Sequence, residues 1–387
     1  MIRVLVADDS AFMRMVLSDM FKKQPDFELV DTARNGKDAI EKVKKYNPDL
    51  LTMDINMPVM DGLQALKIIM KECPLPVVMC SSMTKEGADA TIQALALGAV
   101  DFINKTGGSV SAIDTIETEI LTKCRAAASI KIKSRPGMSA ASGAKTFGET
   151  PGPVMSRRVD IPVRKPVFTP RQAQPAAQEQ PIKRAAPVMG VRTGSSDGRN
   201  KIVVLGTSTG GPKALQVVVA GLPKDLPCGV LIVQHMPPGF TKSLAERLNE
   251  ICQISVKEAE NHDIIEAGHV YIAPGNYHMT VVPCQQGREI VLNQDPPLGT
   301  LRPAADVLFK SAVRFGSDVV SVILTGMGQD GAVGMKEIKQ AGGYIIAEHE
   351  STCVVYGMPK AVVDQGIADE VLPLTEIASA IVRAVKH

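Results

Sequence analysis

Short apolar runs that stop abruptly in an acid, a hydroxyl or a glycine recur along this chain, and between them lie stretches with apolar residues at helical spacing. In the first third the runs fall at residues 4–6, 28–31, 50–53, 77–79 and 100–103, with helical segments such as 11–21 and 37–46 between them. Five strand–helix units of this kind predict a doubly wound parallel sheet of five strands. Sheets of that class gather ligands at the carboxyl ends of their strands, so the residues closing each run are the ones to weigh.

Asp8 and Asp9 close the first run and Asp54 the third, while Ser81 follows the fourth and Lys105 the fifth. Acids at strand ends often do no more than cap the surface. Three carboxylates converging on one rim, however, repel one another and raise their own pKa values unless a cation sits among them. An all-oxygen site of that kind suits Mg²⁺. With the charge screened, Asp54 can attack a phosphoryl group, and the Lys105 ammonium and Ser81 hydroxyl can stabilise the transferring oxygens.

The alternation resumes after residue 200. Residues 202–205 form an apolar strand that opens into Gly206-Thr207-Ser208-Thr209-Gly210-Gly211-Pro212, with the G-x-S-x-G spacing of a turn that presents a nucleophile. Glycines beside Ser208 leave room for the tight turn and for an approaching carbonyl. The same segment also reads as a plain connecting loop, or as a phosphate cradle, since exposed amides at a helix N-terminus attract anions.

Two later strand ends favour the nucleophile. The run 230–233 leads into His235, and the run 319–324 leads into Thr325-Gly326-Met327-Gly328-Gln329-Asp330-Gly331. On parallel neighbouring strands such ends share a rim. His235 can then take the Ser208 proton, and Asp330 can orient the imidazole and stabilise its protonated form. Backbone amides around Met327 can support an oxyanion. The competing readings are a structural His235 and an Asp330 that caps the next helix. Asp295, Asp306 and Asp318 are rival carboxylates, but none ends an apolar strand in a glycine loop. The order Ser, His, Asp departs from the Ser, Asp, His order of α/β-hydrolases, so the pentapeptide does not assign that fold. His262, His269 and His278 lie at no familiar metal-ligand spacing.

Residues 129–199 differ in kind. They hold nine prolines and few long apolar side chains, and 13 Lys/Arg against 4 Asp/Glu give them about +9, leaving about −7 for the rest of a chain whose total is +2. Such a segment reads as a disordered basic tether. A basic tether can attract nucleic acid, yet Phe168 is the one aromatic of its basic part and no recognition-helix pattern follows, which favours an extended spacer. The expected organisation is therefore 1–128, a linker over 129–199, and 200–387. Seven scattered cysteines without a C-x-x-C pair argue against a zinc ribbon or disulfide framework and suit a reducing cytosol. The start shows no signal-peptide pattern and no apolar run reaches a membrane span, so a cytoplasmic protein is expected.

Two resemblances follow from these residues. Asp8-Asp9, Asp54 followed by Ile55-Asn56-Met57-Pro58-Val59-Met60-Asp61-Gly62, Ser81, and Phe102-Ile103-Asn104-Lys105 resemble the receiver domain of two-component response regulators. That resemblance implies a flavodoxin-like fold for the five-stranded sheet and phosphorylation of Asp54 by a histidine kinase. It also implies Mg²⁺ held by Asp8, Asp9, Asp54 and the Asn56 backbone carbonyl, with Ser81, Lys105 and Phe102 as switch residues. Phe102 stands where a tyrosine is often found, so a switch contact through a hydroxyl does not carry over. The segments 206–211, 234–240, 271–275, 323–331 and 356–359 resemble the catalytic domain of the CheB family of chemotaxis protein-glutamate methylesterases, which implies a mostly parallel, doubly wound α/β domain. The family pattern makes Ser208, His235 and Asp330 a triad that removes methyl esters from receptor glutamates and deamidates particular glutamines, with no cofactor for the hydrolysis. It implies membrane chemoreceptors as substrates, a monomeric enzyme peripheral to the receptor arrays, and an unphosphorylated receiver packed over the site. A phosphorylation-dependent adaptor without chemistry is the alternative, and no nucleic-acid partner is expected.

Overall fold

A computed structural model describes residues 1–105, 110–130 and 200–386. The expected linker lies outside the described residues from position 131 onward. The first third forms β1 (Ile2–Ala7), α1 (Ala11–Lys22), β2 (Phe27–Ala33), α2 (Gly36–Tyr46), β3 (Leu50–Asp54), α3 (Gly62–Glu72), β4 (Val77–Ser82), α4 (Lys85–Leu97), β5 (Asp101–Lys105) and α5 (Val110–Ala128). The strands order as β2-β1-β3-β4-β5, and every pairing is parallel. The central β3 is buried along its whole length, because helices cover both faces of a parallel sheet, and its sequence is correspondingly apolar without alternation. Its helices start where short polar side chains accept an orphan amide: Asn35 Oδ1 from Asp38 at 2.9 Å, Asp61 Oδ1 from Gln64 at 2.7 Å, and Thr84 Oγ1 from Gly87 at 3.0 Å.

The C-terminal half forms β6 (Ile202–Thr207), α6 (Gly211–Ala220), β7 (Val230–Gln234), α7 (Phe240–Ile251), β8 (Ser255–Glu258), β9 (His269–Ile272), β10 (His278–Cys284), β11 (Gly287–Asn293), α8 (Ala305–Ala312), β12 (Val319–Ile323), α9 (Ala332–Gln340), β13 (Tyr344–Glu348), α10 (Met358–Val363), β14 (Glu370–Leu372) and α11 (Leu374–Lys386). Seven strands order as β14-β13-β12-β6-β7-β9-β8, again with parallel pairings. The hairpin β10–β11 stands apart as an antiparallel pair and is tied to α8, where the Ser311 hydroxyl accepts the Val281 amide at 3.0 Å. Both helical layers of the C-terminal sheet are apolar: Leu215, Val218, Leu244 and Ile381 pack one face, and Leu308, Phe309, Met335 and Ile338 the other. Sheet order places β12, β6 and β7 side by side at the centre, so the three chemistry-bearing strand ends meet.

Candidate active site

On the rim of the N-terminal sheet, Asp8, Asp9 and Asp54 bring one carboxylate oxygen each to within 4.8 Å of one another. Lys105 Nζ lies 2.7 Å from Asp8 Oδ2 and 2.8 Å from Asp54 Oδ2; the approach to Asp8 is an ion contact outside hydrogen-bond geometry. Burial pushes the Asp54 carboxyl up, with Asp8 adding to the rise and Lys105 opposing it. Burial works against the Lys105 ammonium, yet the two carboxylates outweigh it and raise its pKa. An all-oxygen donor set around a buried acid is what a hard divalent cation selects. Asn56 is exposed in the turn after β3. Ser81 is buried, and its hydroxyl donates to the Gly87 carbonyl in the first turn of α4 at 3.0 Å.

On the rim of the C-terminal sheet, Ser208 follows β6 directly. Its carbonyl accepts the Gly211 amide at 2.8 Å and Gln234 Nε2 at 3.0 Å, and its amide donates to the Thr325 carbonyl at 3.1 Å. Gly210 adopts φ +81° to turn the chain into α6, and a side chain there would strike Val354 at 2.5 Å. Gly326 lies so close that a Cβ on it would fall 2.9 Å from Ser208 Cβ. The spacing of glycines read from the sequence is thus a packing requirement at these two positions. Among the described residues the Ser208 hydroxyl has no hydrogen-bond partner, and the Met327 amide has no acceptor.

His235 sits one residue beyond β7, and its amide donates to the Thr207 carbonyl at 3.2 Å. Thr207 and Gln234 are register partners, so Ser208 and His235 occupy adjacent strand ends, about 5 Å apart between backbones. The structure brings His235 and Asp330 into direct contact: Nε2 to Oδ2 is 2.8 Å, with both side chains buried. It does not join Ser208 to His235 by a hydrogen bond. Asp330 also accepts the amides of Ala305 at 2.6 Å and Asp306 at 3.0 Å. Its capping is therefore of α8, and not of the α9 helix that follows it. Burial acts to raise the Asp330 pKa, but the His235 hydrogen bond and the two amides outweigh it and hold the carboxyl below its usual range. Burial pushes the rival Asp306 up, and its Oδ1 is occupied by the Gly334 amide at 2.7 Å. With Asp330 on Nε2, the imidazole atom left to serve Ser208 is Nδ1.

Thiol chemistry does not compete at this rim. All seven cysteines are free, and burial raises the pKa of Cys353, which follows β13; a protonated thiol is a poor nucleophile.

The two rims touch. The Thr209 hydroxyl, next to Ser208, donates to Asp101 Oδ2 of β5 at 2.7 Å. The Phe102 ring stacks on Phe240, the first residue of α7, with centroids 4.8 Å apart and planes 8° from parallel. Lys123 fixes Phe102 from behind, donating to its carbonyl at 2.8 Å and lying 5.0 Å from its ring centroid. Helix α4 packs against α6 and α7. Sequence reasoning singled out Phe102 but passed over Asp101 and Thr209, since nothing local marks a pair 108 positions apart.

The profile of the CheB methylesterase family matches residues 203–381, and that of the response regulator receiver domain matches residues 4–117. Three proteins named protein-glutamate methylesterase/protein-glutamine glutaminase align along nearly the whole chain. The one from Symbiobacterium thermophilum is 48% identical over 99% of this chain and 97% of its own. That from Archaeoglobus fulgidus is 44% identical over 98% and 97%, and that from Halalkalibacterium halodurans 43% over 100% and 99%. A receiver sheet fused to a parallel α/β hydrolase sheet is the architecture in hand. The chain belongs to the family of receiver-coupled protein-glutamate methylesterase/protein-glutamine glutaminases.

Proposed function

We propose that this chain hydrolyses methyl esters on glutamyl side chains of chemoreceptors, and deamidates particular receptor glutamines, under control of phosphorylation at Asp54. The observation that carries this reading is the buried 2.8 Å pair of His235 and Asp330 on the strand rim that presents Ser208. Ser208 Oγ attacks the ester carbonyl as His235 Nδ1 takes its proton. The developing oxyanion faces the Met327 amide. His235 then protonates the departing methoxide, or the departing ammonia of a glutamine, and activates water to release the acyl-enzyme. Asp330 holds the ring through Nε2 and stabilises the imidazolium formed in both steps.

The regulatory half is proposed on the same footing, with residues 1–128 as receiver, 129–199 as tether and 200–387 as catalytic domain. A histidine kinase of the chemotaxis system supplies the phosphoryl group to Asp54. Mg²⁺, held by Asp8, Asp9, Asp54 and the Asn56 carbonyl, would neutralise charge on that group. Lys105 and Ser81 turn to the phosphoryl oxygens, and Ser81 thereby leaves the Gly87 carbonyl and loosens α4 against α6 and α7. The enzyme acts as a cytoplasmic monomer beside the receptor arrays.

Ser208→Ala should abolish methanol release from methylated receptor membranes, and retained turnover would remove Ser208 from the mechanism. Asp54→Ala should lose stimulation by a small phosphodonor such as acetyl phosphate.

A further inference from the structure

Glu348 closes β13 and is fully buried, although neither phosphotransfer nor ester hydrolysis as derived above uses it. Its Oε2 accepts the Thr325 amide at 2.8 Å. Its Oε1 is buried without a hydrogen-bond partner. Burial pushes this carboxyl up, while the Thr325 amide and the neighbouring Thr352 and Cys353 side chains pull the other way. A buried carboxyl with an orphaned oxygen costs a fold stability. Such a group in a native interior calls for another reason to be there.

The reason lies one bond away. Thr325 is the hub of the turn that carries Ser208. Its carbonyl accepts the Ser208 amide at 3.1 Å and the Thr207 hydroxyl at 2.8 Å. Its hydroxyl lies 3.0 Å from the Thr209 carbonyl, which it can engage as donor, and accepts the Val355 amide at 2.9 Å. Thr325 therefore grips the residues before and after Ser208 as well as Ser208 itself. The next two residues are Gly326, packed against Ser208, and Met327, whose amide is free. Among the described residues, the Thr325 amide is the link from this hub to a side chain of β13.

We propose that Glu348 is a positioning residue for the hydrolytic reaction, acting through the Thr325 amide to set both the Ser208 turn and the Met327 amide. The inference rests on Ser208 being the nucleophile. Small displacements of a reacting atom are expensive, on the order of 10²-fold in rate for about 1 Å, so one anchoring bond at the hub suffices to be felt.

The test uses the full-length chain with Glu348→Met, which keeps the side-chain volume and removes the acceptor, and Glu348→Gln, which keeps an acceptor for Thr325. Turnover on methylated receptor membranes is measured beside the rate at which a fluorophosphonate labels Ser208, with Ser208→Ala as control. Glu348→Met should lower kcat and the labelling rate together by about tenfold or more with KM within about twofold, while its Tm falls only by what one orphaned buried amide costs. Glu348→Gln should stay within about threefold of the parent in both rates. Unchanged labelling in the Met variant, an equal loss in the Gln variant, or a Met variant that no longer folds would each overturn the assignment. Turnover surviving in Ser208→Ala would instead strike at the nucleophile itself, which keeps the two failures apart.

Discussion

The Thr209 hydroxyl and the Asp101 carboxylate are joined by a 2.7 Å hydrogen bond that links the receiver sheet to the residue directly after Ser208. The receiver thus holds the nucleophile's own turn, and a second contact ties it to α7 through the Phe102–Phe240 stack.

Removing that bond from the receiver side should favour separation of the receiver from the turn while leaving every residue of the turn in place. A hydrogen bond to a charged acceptor is worth about 1.5–3 kcal/mol. Part of that returns as hydration when the surfaces separate, so Asp101→Ala should raise unstimulated methanol release by about tenfold. Acetyl phosphate should then add correspondingly less. An unstimulated rate equal to the parent's would show that the bond does not restrain activity.

The histidine ring is set by its acid. Because Asp330 Oδ2 lies on Nε2, neutral His235 should carry its proton on Nε2, and ¹⁵N chemical shifts of the imidazole read that tautomer directly. Asp330→Asn, which can donate to Nε2 and so reverse the tautomer, should reduce kcat by about 10³–10⁴-fold, as orienting-acid changes do in other triads. A proton found on Nδ1 in the parent protein contradicts the assignment of Nδ1 as the base.

Acid should expose the same pair thermodynamically. Folding lowers the Asp330 pKa below 3.8, so the unfolded chain binds the proton more readily. The linked stability is complete above the unfolded value and is lost as pH falls through the folded one. Asp330→Asn should flatten that part of the stability profile below about pH 4 in denaturant titrations. An unaltered slope would mean that Asp330 contributes nothing there.

Chelation should separate the two rims. EDTA should stop labelling of Asp54 by acetyl phosphate and leave unstimulated methanol release unchanged, because the donors Asp8, Asp9 and Asp54 belong to the receiver alone. Loss of the unstimulated rate would tie the metal to the hydrolysis.

The strand ends made much of this readable before any coordinates. His235 and Asp330 stand out because an uninterrupted apolar run followed by a polar, glycine-rich turn fixes where a side chain emerges from a parallel sheet. Glu348 does not stand out. It ends the run 344–348 just before His349 and Glu350, where an acid looks like an ordinary exposed strand end, and its full burial depends on β14 and α11 closing over it. The partner of the Asp330 cap was hidden for a related reason. The amides it accepts belong to a helix that starts 25 residues earlier, whereas local pattern points only to the helix that follows. The short strands β8 and β9, four residues each, are too brief to show a period, and the β10–β11 hairpin interrupts the alternation that the rest of the domain follows.

The nearness of Gly326 to Ser208 carries a stereochemical consequence. A planar ester offers two prochiral faces, and the Gly326 backbone crowds one flank of Ser208. On the mechanism proposed above, attack swings the carbonyl oxygen toward the Met327 amide, which favours one handedness of the tetrahedral adduct. The two enantiomers of a chiral phosphonate should therefore label Ser208 at unequal rates.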